Sequence, residues 1–259
     1  MAKTRGNRAA CRAALLSFLM MAGPAACGGA GDAPPAGPAP AGSGHSQADE
    51  GHQGHQTQPG EHAQHGEMPH RFERAEDWAR LFDHPSRDAW QKPDEVVALT
   101  ELSRGMTVVD VGAGTGYFIS RLSRAVGARG TVIATDIETD MVRYMKERAA
   151  REKLANVTVL PAPVNDVGVP AGSADRVLIV DVWHHIADRE RYAARVARAL
   201  KPGGAVVIVD FTLDTRRGPP PAHRLPPDKV IAELRAGGLT AELATESLPD
   251  QYVVVGRRK

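Results

Sequence analysis

Cysteine is nearly missing from this chain of 259 residues: there are two, Cys11 and Cys27, both ahead of a long low-complexity stretch. A folded body beyond that stretch therefore holds no disulfide, and both iron–sulfur radical chemistry and chemistry on thiol-bound arsenic are disfavoured there. An excess of either charge is missing too. Lys and Arg number 32 against 31 Asp and Glu, a net +1, which gives no reason to expect a nucleic-acid partner. No apolar run reaches the roughly 18 residues of a transmembrane helix.

What the first seventy residues do have is an export signal in outline. Lys3, Arg5, Arg8 and Arg12 precede the apolar run Ala13–Ala22, and small residues follow. Pro24-Ala-Ala-Cys27-Gly-Gly resembles a bacterial lipoprotein box, with Pro24 where Leu is usual. That resemblance implies lipidation of Cys27, membrane anchoring through it, and a periplasmic or outer-membrane location. Cleavage by an ordinary signal peptidase is the alternative, and an uncleaved cytoplasmic leader the third. Residues 28–70 are Gly, Pro, Ala, Gln and His with almost nothing to bury, and read as a disordered tether. His45, His52, His55, His62, His65 and His70 can bind zinc, copper or nickel weakly. A solvated linker competes with that, because nothing fixes ligand geometry in a disordered chain. The organisation expected is a leader over 1–27, a linker over 28–70 and a folded domain over 71–259 with no metal site.

The richest stretch is Val108–Phe118, Val-Val-Asp-Val-Gly-Ala-Gly-Thr-Gly-Tyr-Phe. An apolar run ending in Asp110 reads as a buried parallel strand. Gly112, Gly114 and Gly116 let the backbone turn sharply and approach a ligand closely. Asp110 then lies at the strand's carboxyl end, where open α/β sheets bind ligands. A dinucleotide fold wants G-x-G-x-x-G; this chain has G-x-G-x-G, which disfavours a nicotinamide-dependent oxidoreductase. The turn leads into a helical pattern over Tyr117–Val126 that stops at Gly127. Thr131–Asp136 is a second strand whose acid lies roughly twenty residues past the turn, as a ribose-binding acid does. Asp136 reads either as that ligand or as a helix cap, and Asp140 is the better cap for Met141–Arg151.

This combination resembles motif I and its sequel in class I S-adenosylmethionine (SAM)-dependent methyltransferases. Further along, Val169-Pro-Ala-Gly-Ser-Ala-Asp175 and Lys201-Pro-Gly-Gly204 are similar to segments of the same family, flanking strands at Val157–Leu160, Arg176–Val182 and Ala205–Asp210. The resemblance implies an α/β, doubly wound, Rossmann-like, seven-stranded sheet with its last strand antiparallel, preceded by helices over Phe72–Phe82 and Arg87–Leu102 that can lid the cofactor. It implies SAM as cofactor, bound by Asp110, Gly112, Gly114, Gly116 and Asp136, with Ile137 and Asp181 bordering it. Ala162-Pro163 stand where the family has Gly-Asp, so the adenine contact falls to Asn165, to Asp166 or to a backbone group. Asp175 reads as a turn residue. Trp183, His184 and His185 follow the fourth strand, where the methyl acceptor binds, and Trp90 and His223 are the other substrate-side candidates. A histidine there is poised to deprotonate an attacking hydroxyl or amine, or else merely holds the loop. No Asn-Pro-Pro-Tyr-type motif is present, which disfavours amide or exocyclic amino nitrogens. The expected activity is methyl transfer to a small-molecule acceptor through oxygen, nitrogen or carbon. An exported domain that binds SAM or a related nucleoside without turnover is the alternative.

Overall fold

Runs rich in Val and Ile alternate with amphipathic segments from Met106 onward, the pattern of β–α units around a parallel sheet. The structure, a computed structural model, describes residues 74–259. Cys27, the histidine tether and the start of the first expected helix at Phe72 lie outside the described residues. The strands are β1 Thr107–Val111, β2 Thr131–Asp136, β3 Val157–Pro161, β4 Ala174–Val180, β5 Leu200–Phe211, β6 Thr240–Leu243 and β7 Gln251–Arg257. They form one seven-stranded sheet in the order β3-β2-β1-β4-β5-β7-β6. β1 to β5 pair in parallel, and β7 runs antiparallel to both β5 and β6. The order reverses between β1 and β4, so the carboxyl ends of those strands flank the crevice where such sheets bind ligands.

Side chains alternate across the sheet with the strand period of two. On β5, Val206 and Ile208 face α6 (Arg189–Ala199) and α7 (Pro227–Ala236). Ala205, Val207 and Val209 face the opposite layer, which contains Val96 of α3 (Pro93–Leu99) and Leu122 of α4 (Ile119–Val126). α5 (Thr139–Arg151) lays Val142 and Met145 on Ala134 and Val159. Two further helices, α1 (Ala75–Phe82) and α2 (Arg87–Gln91), come before α3 in the chain.

Two local expectations are corrected. The helix expected over Arg87–Leu102 is two, because Lys92 turns left-handed with φ 43° ahead of Pro93, whose ring disfavours a helical residue before it. Asp140 does not cap α5. Its carboxylate accepts the Ala75 N–H at 2.6 Å and pairs with Arg143 at 2.7 Å, so it clamps the start of α1. That contact spans 65 positions and is invisible to local sequence rules. Among the described residues, no helix is long and apolar enough to cross a membrane.

Candidate active site

The glycine turn leaves β1 with φ values of 65° at Gly112, 57° at Gly114 and 82° at Gly116, all in the region that side chains disfavour. A Cβ at Gly112 would stand 2.6 Å from Val182, so that glycine serves packing. At Gly114 a Cβ would meet only Phe82, at 3.8 Å, so the turn there is open toward the crevice. The Gly114 N–H donates to Asp136 at 2.8 Å, and the other Asp136 oxygen accepts the Glu138 N–H at 2.9 Å. Asp136 thus ties the turn to the first residue ahead of α5, and burial raises its pKa against those hydrogen bonds. Ile137, beside it, is 56% exposed.

Asp110 is buried and its Oδ2 has no hydrogen-bond partner among the described residues. Burial pushes its pKa up to about 7; Arg87 opposes the rise and Asp136 adds to it. Asp181, in a left-handed conformation at φ 59°, accepts from Gln251, whose own carbonyl accepts from Gln91, and lies 3.5 Å from Arg87. Burial lifts it to about 7 as well, Arg87 and His184 opposing and Asp210 reinforcing. Arg87 is therefore the cation common to buried Asp110 and half-buried Asp181. The two carboxylates sharing one guanidinium, with one Asp110 oxygen buried and unpaired, favour a cationic ligand group.

Arg87 arrives from the N-terminal helices, which are pinned over this edge of the sheet. Its guanidinium lies 4.1 Å from the Tyr117 ring, whose hydroxyl donates to Asp88. Asp83 pairs with Arg148 at 3.0 Å and accepts from the Thr115 hydroxyl of the glycine turn at 2.9 Å.

Past β4, Trp183–His185 form a 3-10 turn. Trp183 is fully buried, donates from Nε1 to Glu233 at 2.8 Å and meets Tyr192 edge-on at 6.1 Å. It anchors the turn in the α6–α7 layer and does not line the substrate side, contrary to expectation. His184 bonds through Nδ1 to Asp210 at 2.8 Å, and its backbone N–H donates to the same carboxylate at 3.2 Å. The His185 ring lies 4.2 Å from that of His184. Trp90 packs against Phe211 at 6.1 Å and lies between Arg87 and Arg217, 5.8 and 5.3 Å from its ring, so it does border the β5 end. His223 is exposed on the turn Pro221–His223, and no hydrogen bond or ion pair joins it to the strand ends among the described residues. Asn165 is exposed, whereas Asp166 accepts the Gly168 N–H at 3.0 Å and lies 3.5 Å from Arg195, closing its own loop. Asp175 accepts from Thr107 and Lys201, each at 2.7 Å, and holds its turn as expected.

Arg87, Gln91, Gln251 and Asp210 are site residues that the sequence alone did not point to. Asp210 had the same signal as Asp110 and Asp136, an acid closing an apolar strand. The glutamines and Arg87 carry no local signature, since contact across the fold alone brings them together.

The reversed last strand, the strand-order switch, the three-glycine turn and the acid ending β2 are together those of a class I SAM-dependent methyltransferase domain. Residues 109–208 match the family model described as a methyltransferase domain. The ubiquinone/menaquinone biosynthesis C-methyltransferase of Idiomarina loihiensis is 31% identical over 110 residues, covering 42% of this chain and 44% of that protein. The enzyme of that name from Yersinia pestis is 32% identical over 111 residues, with 42% and 44% covered. The chain thus spans less than half the length of these curated relatives. The crystal structure of a SAM-dependent methyltransferase from Aquifex aeolicus superposes with a TM-score of 0.67 at 28% identity, covering 71% of this chain and 98% of the other. SAM is the cofactor these residues fit: Asp110 offers an unpaired buried oxygen to a cation, and Gly114 an open cradle.

Proposed function

We propose that this protein transfers the methyl group of SAM to a small-molecule acceptor held between Trp90, Phe211 and the His184–His185 turn. The observation that carries it is the unpaired Asp110 oxygen beside an open glycine turn, at the strand-order switch. Asp110 and the turn would hold the amino-acid part of the cofactor, Asp136 its ribose, Ile137 an apolar face of its base, and Asn165 or a backbone group its amino nitrogen. When bound, SAM supplies a methyl carbon on a positive sulfur, and the electrons of that carbon–sulfur bond stay on sulfur as the methyl leaves. The protein's own contribution is alignment and exclusion of water. The pinned N-terminal helices provide the cover, and the Trp90–Phe211 pair the wall against which an acceptor is oriented. His184 takes a proton from the acceptor. The similar curated proteins are C-methyltransferases by name, and a carbon acceptor gives up a proton in that chemistry, which agrees with a base here.

Tritium-labelled SAM mixed with the full chain and a small-molecule fraction of cell extract tests the proposal. Label transferred to a low-mass product is the expected result. Calorimetry showing SAM binding without any such transfer would favour the non-catalytic alternative instead. We further propose export, with Cys27 lipidated and residues 28–70 as the tether. Its support is the order of basic, apolar and small residues in the first 27 positions.

A further inference from the structure

We propose that Asp210 is a positioning residue: it fixes His184 with its proton on Nδ1 and leaves Nε2 as the atom that receives the acceptor's proton. The inference rests on the methyl-transfer function proposed above and assigns the proton's path within it. β5 delivers Asp210 to the sheet's carboxyl end beside the Trp183–His185 turn, with its side chain 1% exposed and that of His184 3% exposed. Oδ1 accepts the Phe211 N–H at 2.8 Å, and Oδ2 the His184 N–H at 3.2 Å. Both oxygens are thereby oriented by backbone donors before the imidazole is considered. Nδ1 lies 2.8 Å from Oδ1. A carboxylate only accepts, so the hydrogen of this bond sits on Nδ1. In a neutral imidazole the other nitrogen is then a bare acceptor, and Nε2 has no partner among the described residues.

The surroundings suit this use. His185 lies against the ring, Phe211 stands edge-on at 6.4 Å, and Asp181 with Arg87 lies on the cofactor side. The proton leaves the acceptor's nucleophilic atom for Nε2, and the electron pair left behind forms the new bond to the methyl carbon. The imidazolium that results sits against the Asp210 carboxylate, which stabilises it without taking the proton.

The test uses the full chain. Nitrogen-15 NMR of the imidazoles, without ligand, should show neutral His184 as the Nδ1–H form; an Nε2–H form in the wild type overturns the proposal whatever the variants do. Asp210→Asn should keep SAM binding by calorimetry, lose the fixed tautomer, and lower labelled-methyl transfer by at least about 100-fold. In a His184→Ala background the same change should cost almost nothing more, because the two act as one unit. Equal transfer by Asp210→Asn and wild type, or fully additive losses, would overturn the dyad. Absence of transfer by the wild type would instead defeat the enzyme assignment, a result distinct from both.

Discussion

Asp110 binds its proton more tightly than an exposed carboxyl for the same reason that it suits a cation: it is buried, and one of its oxygens is unpaired. In the unfolded chain its carboxyl releases a proton near about 3.9, whereas in the fold it does so at about 7. Between those values the unfolded chain binds fewer protons, so Asp110 makes the fold less stable as pH rises through that window, and the penalty is complete above it. Asp110→Asn removes the dependence. Urea unfolding should show the variant gaining on the wild type from pH 4 to pH 7 and holding that gain at pH 8; a constant difference would contradict the assignment. Burial raises the pKa of Asp136 in the same direction, but its oxygens already carry the Gly114 and Glu138 N–H groups. Asp136→Ala should weaken SAM binding by roughly 1–3 kcal/mol through lost hydrogen bonds to buried groups, and calorimetry reads the loss directly. At this scale the sequence was informative wherever one residue type answers to one backbone demand, as at the three glycines and the strand-ending acids. It failed at Trp183, whose partner Glu233 is 50 positions away, and gave no partner for the exposed His223.

Among elements, the glycine turn and the α6–α7 contact show two uses of the same residue. Gly114→Val should fold and lose SAM binding, since the protein leaves space there for a ligand and little else. A retained affinity would make the turn merely structural. At Gly237 the constraint is packing instead. A Cβ there would lie 2.4 Å from that of Ala193 and 2.6 Å from its carbonyl carbon, with an ordinary φ of −73°. Gly237→Ala should therefore push α6 and α7 apart and cost about 1–3 kcal/mol, measured by chemical denaturation. The N-terminal helices are held more loosely. Asp83 and Arg148 keep 22% and 16% of their side-chain surface in water, so Asp83→Ala should cost roughly 1 kcal/mol or less. Amide exchange in α1 should quicken by several-fold, with the central strands unchanged. Element order was legible from periodicity and from the glycine and proline stops. Boundaries shifted where tertiary geometry intervened: α4 starts at Ile119 because Gly116 is still turning at φ 82°, and the helix over 87–102 breaks at Lys92.

For the molecule as a whole, the sheet topology matches the arrangement expected from the family resemblance, down to the reversed last strand. The leader is another matter, because its expected role lies outside the described residues. Metabolic palmitate labelling with fractionation should place the protein in the membrane fraction through Cys27, and Cys27→Ala should release it; an unlabelled protein with its original N-terminus would end that proposal. One consequence of the topology belongs to the ribosome rather than to the folded state. β7 follows every strand it joins, yet it lies inside the sheet between β5 and β6, and its first residue, Gln251, bridges Asp181 to Gln91 of α2. While the chain is being made, the cofactor turn and its acids emerge early, but the edge of β5 stays bare and the bridge to α2 stays open until that last strand appears. Every nascent copy therefore passes through an interval in which the β5 edge is unpaired, and the speed with which β7 arrives sets how long a chaperone or a neighbouring strand can compete for it.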